Sequence, residues 1–202
     1  MNIDTIINDD YKSNTYIISF PNLLEVLIID PAGDVTVLYD FLYRNNYHPK
    51  YILLTHEHID HITGTNMLKE NYPLSKIACT EACSQRIIDP KLNLSHYRNT
   101  PYTSVPADII LSENSNLEWE ATINYFPWDG HSPGGMIIKI NDIIFCGDQF
   151  IKGIKTVTNL PGGKRERVKE CFEFLKISFP PETKMYPGHG NSLLLNELEL
   201  II

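Results

Sequence analysis

Six consecutive residues, His56-Glu57-His58-Ile59-Asp60-His61, constrain this chain more than any other feature. They follow residues 51–55 (YILLT), a continuous apolar run of the kind buried on both faces of a sheet. A helical pattern at residues 63–70 comes directly after them. In extended backbone alternate side chains share a side, so His56 and His58 face together and can take one metal ion. Asp60 and His61 fall at the turn into the helix and can face a second ion close by. Imidazole nitrogen with carboxylate oxygen suits a catalytic transition metal such as zinc or iron. By the same alternation Glu57 and Ile59 point away, and Glu57 reads as a solvated side chain.

Three later motifs carry the same residue types: GHSPGG at 130–135 with His131, FCGDQF at 145–150 with Asp148, and YPGHG at 186–190 with His189. Each candidate lies near glycine or proline, where the backbone can turn sharply and present a side chain at a strand end. His48 and His96 match no motif and read as ordinary surface or loop histidines.

The rest of the chain alternates between strand and helix patterns. Residues 14–20 and 24–29 read as a hairpin joined at Pro21-Asn22, and Asp30-Pro31-Ala32-Gly33 ends it. Asp34 can cap a helix whose apolar side includes Val37, Leu38, Phe41 and Leu42. A strand at 76–79 and a helix at 81–88 follow. Residues 89–106 read as a long loop, either over the site or a plain surface excursion. Strands are expected at 108–111, 119–126, 136–140 and 143–146, the last two meeting at Asn141-Asp142. A helix at 165–178, a strand at 184–186 and a terminal helix after 187–190 complete the pattern. Mixed hairpins and crossovers with no linker predict an α/β layered sandwich, one domain over 1–202.

Composition removes several classes. With 202 residues, 43% of them hydrophobic, the chain can bury a core and does not resemble a disordered segment. A net charge of −8 argues against nucleic acid as a partner. No apolar run approaches the roughly 18–20 residues of a membrane span. The acidic start MNIDTIINDD is unlike a signal peptide, so a cytoplasmic location is expected. Cys79, Cys83, Cys146 and Cys171 lack metal-knuckle spacing and read as free thiols.

Taken in order, the motifs resemble those of the metallo-β-lactamase-fold hydrolases. LLTHEHIDHITG (53–64) is similar to their H-x-H-x-D-H signature, and the resemblance extends over most of the chain. It implies a four-layer αββα sandwich with metals at one sheet edge. Position by position it implies His56, His58 and His131 at a first metal, Asp60, His61 and His189 at a second, and Asp148 bridging them. The implied cofactors are two divalent ions, zinc first with iron or manganese as alternatives. The implied chemistry is attack by a metal-bound hydroxide, with Asp60 and Asp148 orienting the nucleophile. Where β-lactamases of this fold use a cysteine ligand, the bridging position here reads as Asp148 and Cys146 as a core residue. That departure argues against a β-lactamase.

The ligand order is shared with glyoxalase II-like thioesterases, which points to a small acyl substrate, above all a thioester. The chain ends soon after His189, and residues 149–163 lack the family's T-L-F start, so glutathione recognition is not expected. The segments 89–106 and 149–163 are expected to flank the site. Lys152, Lys155, Lys164, Arg165 and Arg167 form either a solvated basic face or a steering patch. Trp128 either lines a pocket or packs. The alternatives are a lactonase, a mononuclear-iron persulfide dioxygenase, a specialised biosynthetic hydrolase and a non-catalytic metal-binding protein. Flavodiiron oxidoreductases are disfavoured because they have glutamate where His58 stands.

Overall fold

A computed structural model describes residues 1–202 except 99, 100, 113, 114, 116 and 118. Two sheets form its centre. The first contains β1 (Asn2–Ile7), β2 (Asn14–Ser19), β3 (Glu25–Ile29), β4 (His48–Leu53), β5 (Lys76–Cys79) and β6 (Ile109–Ile110), in sequence order across the sheet. Its first two junctions are antiparallel and the other three parallel. The second sheet is made of β7 (Ile123–Pro127), β8 (Met136–Ile140), β9 (Ile143–Gly147), β10 (Lys184–Pro187) and β11 (Leu193–Leu194), ordered β11-β10-β9-β8-β7. Here only β9 and β10 run parallel.

Strand alternation sorts the core into three slabs. Tyr16, Ile18, Leu27, Ile29 and Leu53 point inward and meet Tyr125, Ile138, Ile140 and Phe145 of the second sheet. Ile17, Val26, Ile28 and Ile52 point outward against α1 (Val35–Arg44), α3 (Thr65–Asn71) and α4 (Glu81–Ile87), which contribute Leu38, Leu42, Leu68, Cys83 and Ile87. Ile137, Ile144, Cys146 and Met185 cover the other side, beneath Val168, Cys171 and Leu175 of α5 (Arg165–Ser178). The layers are therefore αββα, as expected. All four cysteines are free and buried, and Cys146 is a core residue facing α5.

Several boundaries differ from the sequence reading. The helix expected at 63–70 is α3, and a separate one-turn helix, α2 (Ile59–Ile62), precedes it inside the histidine motif, with Thr63 and Gly64 between them. Residues 2–7, unassigned from their polar look, form the edge strand β1, where one solvated face is tolerated. The expected terminal helix is absent. Leu193 pairs with Met185 as strand β11, and a single 3-10 turn (Leu195–Glu197) follows. Leu193, Leu195 and Leu198 bury beside α5, a spacing that one helical face does not provide. The segment 89–106 contains one 3-10 turn, Ser95–Tyr97, and residues 99 and 100 of it lie outside the described residues. Trp128 packs: it stacks on Phe174 with centroids 5.1 Å apart and donates to the Arg167 carbonyl at 2.6 Å.

Asp108, just before β6, ties that strand to β5 and α3. It accepts the Ile77 amide at 2.9 Å and the Lys69 ammonium at 3.1 Å, with Lys76 at 3.5 Å. Burial opposes its charge, and the Ile77 and Lys69 hydrogen bonds overcome burial to hold its carboxyl below the ordinary value. A folded pKa below the unfolded value, about 3.9, gives stability that is present above that pH. It is lost as pH falls through the folded value. Asp108→Asn should therefore cost about 1 kcal/mol at pH 7. Urea denaturation of both proteins should show this gap narrowing below about pH 4.

Candidate metal centre

The seven residues singled out in the sequence converge at one end of both sheets. His56 and His58 leave the end of β4, and α2 presents Asp60 and His61 one turn later. His131 comes from the β7–β8 connection, Asp148 follows β9, and His189 follows β10. Strand β2 holds the last of these segments in place: Asn14 donates through its backbone to the Gly188 carbonyl at 2.7 Å and through its side chain to that of Gly190 at 2.8 Å. The Tyr16 hydroxyl donates to the Pro187 carbonyl at 2.6 Å, linking the two sheets. Ser13 donates to the Asp60 carbonyl at 2.7 Å.

Two donor groups result. His56, His58 and His131 offer ligand atoms within 4.8 Å of one another, and so do Asp60, His61 and His189; Asp30 makes a third such set with His56 and His61, where the two groups adjoin. Asp148 lies between them, 3.8 Å from His131 Nε2, 3.5 Å from His61 Nε2 and 3.4 Å from His189 Nε2. Outer contacts orient the rings. His131 Nδ1 meets the Val157 carbonyl at 2.9 Å, and His56 Nδ1 meets Thr55 Oγ1 at 3.1 Å. The Nε2 atoms are thereby directed inward, the usual arrangement for an imidazole ligand.

These residues fit divalent metal ions on the structure's own chemistry. His56 Nε2, His61 Nε2 and Asp148 Oδ1 are buried with no hydrogen-bond partner among the described residues. Such atoms are costly unless a cation satisfies them. Burial and the neighbouring histidines push His56 well down, and burial with His131 pushes His58 to about 3. Both are then neutral imidazoles, the form that donates a lone pair. Burial works against charge on His61, but Asp60, Asp148 and Asp30 raise it to about 9. Burial likewise opposes charge on His189, which Asp148 and Asp60 raise to about 10. Asp148 is held well below the carboxylate range, because His61 and His189 outweigh its burial.

Two supporting residues were not found by sequence reasoning. Asp30 is buried with left-handed backbone (φ 52°) and accepts the Thr55 amide at 2.7 Å and the Thr55 hydroxyl at 2.5 Å. Its Oδ2 also lies 3.1 Å from His61 Nδ1, which fixes that ring. In sequence it was legible only as a turn residue after an apolar run. Glu57 corrects the expectation of a solvated side chain: its exposure is 0%. Arg86 of α4 pairs with it at 2.5 Å, while Ser132 Oγ and the Gly134 amide donate to it at 2.9 and 3.1 Å. Pointing away from the ions sends Glu57 into the protein, where it ties the first motif to the loop bearing His131.

A cavity of about 550 Å³ opens onto His58, Asp60, His131 and Asp148. Leu94, Tyr97 and Arg98 line it from the segment 89–106, and Val157, Leu160 and Pro161 from 149–163. Both loops therefore flank the site. The basic residues of the second loop and α5 are largely engaged elsewhere: Lys152 with Glu197, Lys164 and Arg167 with Asp129. None of the five lines this cavity. His48 and His96 are exposed and stand apart from the donor groups.

A layered sandwich with two donor groups at one sheet edge defines a class of chain that holds divalent metal ions there, which supports a metal-dependent hydrolase mechanism. A model of the metallo-beta-lactamase superfamily matches residues 8–189, and the chain belongs to that superfamily. It is 27% identical to the probable metallo-hydrolase YqgX of Bacillus subtilis, over 82% of this chain and 80% of that protein. It is 24% identical to a hydroxyacylglutathione hydrolase of Buchnera aphidicola, over 86% of this chain and 71% of that one. The crystal structure of the BLEG-1 B3 metallo-beta-lactamase is similar at a TM-score of 0.90 and 26% identity, covering 97% of this chain and 95% of that one.

Gly188 offers a test that substitutes none of the donor residues. A Cβ there would come within 2.1 Å of Asp148 Oδ1 and 2.8 Å of His61 Cε1, so alanine must displace both. Elemental analysis of the purified wild type should find about two transition-metal ions per chain, the complement of a dinuclear site. Gly188→Ala should lower that content while the far-UV circular dichroism is retained. His189→Ala should empty the second position first and leave about one ion.

Proposed function

We propose that residues 1–202 act as one hydrolase domain, a dinuclear metal-dependent hydrolase of a small acyl substrate, specifically a thioester. The observation that carries this reading is the position of Asp148 between two donor groups, with Asp148 Oδ1 and one imidazole nitrogen of each group buried and without a hydrogen-bond partner among the described residues. On this reading His56, His58 and His131 hold one ion, Asp60, His61 and His189 hold the other, and Asp148 is shared. When bound, paired divalent ions supply Lewis acidity and lower the pKa of a water toward ~7. Zinc suits the mixed nitrogen and oxygen donors, with iron and manganese as alternatives.

The chain's own residues supply the rest. Asp60 and Asp148 face the cavity and orient the attacking water. Leu94, Val157, Leu160 and Pro161 surround the acyl chain and exclude bulk water. Thioesters fit because a leaving thiolate, whose acid has a pKa of about 8.5, needs little protonation at neutral pH. Asp148, held ionised, makes a poor general acid for an amine or alkoxide leaving group. The Buchnera relative, named for an acylglutathione substrate, supports the acyl reading. Four free, buried cysteines fit a cytoplasmic setting.

The likeness to a B3 metallo-beta-lactamase favours a second reading, opening of a β-lactam ring. The deciding measurement is kcat/KM for acyl thioesters, lactones, a β-lactam and a phosphodiester with metal-replete protein. Thioesters should rank first, and a clear preference for the β-lactam or the phosphodiester would replace the proposal. Asp148→Asn, with metal content confirmed, should lower turnover roughly 10²–10⁴-fold. Unchanged turnover in that occupied variant would remove Asp148 from the mechanism.

A further inference from the structure

The loop that closes the cavity is built more firmly than a surface excursion requires. The Ile59 amide, at the start of α2, donates to the Asn93 carbonyl at 2.9 Å, tying the loop to the donor segment itself. Asn93 is fully buried, and its side-chain amide donates to the carbonyls of Ile87 at 3.1 Å and Tyr102 at 2.9 Å. Leu94 is held with left-handed backbone (φ 69°), an unfavourable conformation for leucine, and its side chain lines the cavity. Four residues beyond it, Arg98 lines the cavity as well.

Among the described residues Arg98 is the only lysine or arginine on that lining, which otherwise combines Tyr97 and apolar side chains with four of the donors. Its guanidinium lies over the Tyr11 ring, 4.6 Å from the centroid, an arrangement that steadies a cation without neutralising it. Among the described residues no carboxylate pairs with it. The chain carries a net charge of −8, and Asp60 and Asp148 line the same cavity. Away from the donors, an anionic group of a bound compound finds its charge partner in Arg98.

We propose that Arg98 is a specificity-determining residue that receives a remote carboxylate or phosphate of the substrate, so that the cavity selects anionic acyl compounds over neutral ones. The inference rests on the acyl-hydrolase reading of the same site. The guanidinium fork suits either oxyanion in a bidentate contact, while the apolar walls between it and the donors accept the chain that joins the two ends. The anionic group belongs either to the acyl chain or to the leaving thiol.

Matched thioesters separate these cases. Hexanoyl and adipyl N-acetylcysteamine differ in a carboxylate on the acyl side, and hexanoyl esters of 2-mercaptoethanol and 3-mercaptopropionate differ on the thiol side. In one series the anionic member should have a KM about tenfold lower, a preference that weakens with added salt. Arg98→Ala should bring the ratio of the two KM values toward one with little change in the ratio of their kcat values. Arg98→Glu should reverse it. Calorimetric binding of adipate and hexanoate to the metal-loaded protein supplies a readout that needs no turnover. Hydrolysis of both series without charge preference, or a preference that survives Arg98→Glu, would overturn the role of Arg98 and leave the acyl reading standing. Tighter adipate binding that is lost in Arg98→Ala, with no thioester hydrolysed, would uphold the anion subsite and overturn the acyl reading instead.

Discussion

Everything at the functional end of this protein depends on an electrostatic problem that the chain creates for itself. Five imidazoles and two carboxylates crowd together from several separate segments, and three of their buried donor atoms have no hydrogen-bond partner among the described residues. Protons alone solve this poorly. Where imidazole faces imidazole, as His58 Nδ1 does His131 Nε2 at 3.0 Å, charging one ring discourages charging the other. A pair of multivalent cations satisfies all of these atoms together. The fold must therefore hold the uncharged rings of His56 and His58 together, beside a second group in which Asp60 and Asp148 draw charge onto His61 and His189.

The two central sheets meet that demand through contacts outside the donor groups. Asp30 locks His61 and the strand end beneath it through Thr55. Glu57 fixes the His131 loop to the first motif, with Arg86 neutralising it. Asn14 and Tyr16 hold the segment bearing His189 against the first sheet. Each contact joins residues distant in sequence, and none of them occupies a donor's inward-facing atom. Catalytic geometry of this kind is carried by strand ends and glycine turns. The two loops that shape the cavity are added over a rigid floor.

How much of this was legible beforehand follows from how local each signal is. The layers, the two-strand turn at Asn141 and the extent of α5 were readable because alternation and helical period are properties of short windows. The terminal segment was misread because leucines at 193, 195 and 198 fit no single period until β10 offers an edge to pair with. Strand β1 was missed since an edge strand with one wet face has too few apolar residues to stand out. Glu57 was placed on the correct side of its strand end but in the wrong medium. Alternation gives a direction, and it does not say whether water or another loop lies there.

By itself, the sequence determined the donor chemistry. Seven metal-binding side chains in four short motifs, each set beside a sharp turn, limit what the chain can hold whatever its detailed packing. The tertiary structure decided which donors lie together, that Asp148 stands between the two groups, and that Asp30 and Glu57 serve as buried struts. It also decided that Arg98, and not the basic run at 152–167, stands over the cavity. The physical reason is distance. A ligand type is written in one residue, whereas a shared site requires side chains more than a hundred positions apart to meet within a few ångströms. Only the pairing of strands and the packing of the two sheets bring them there.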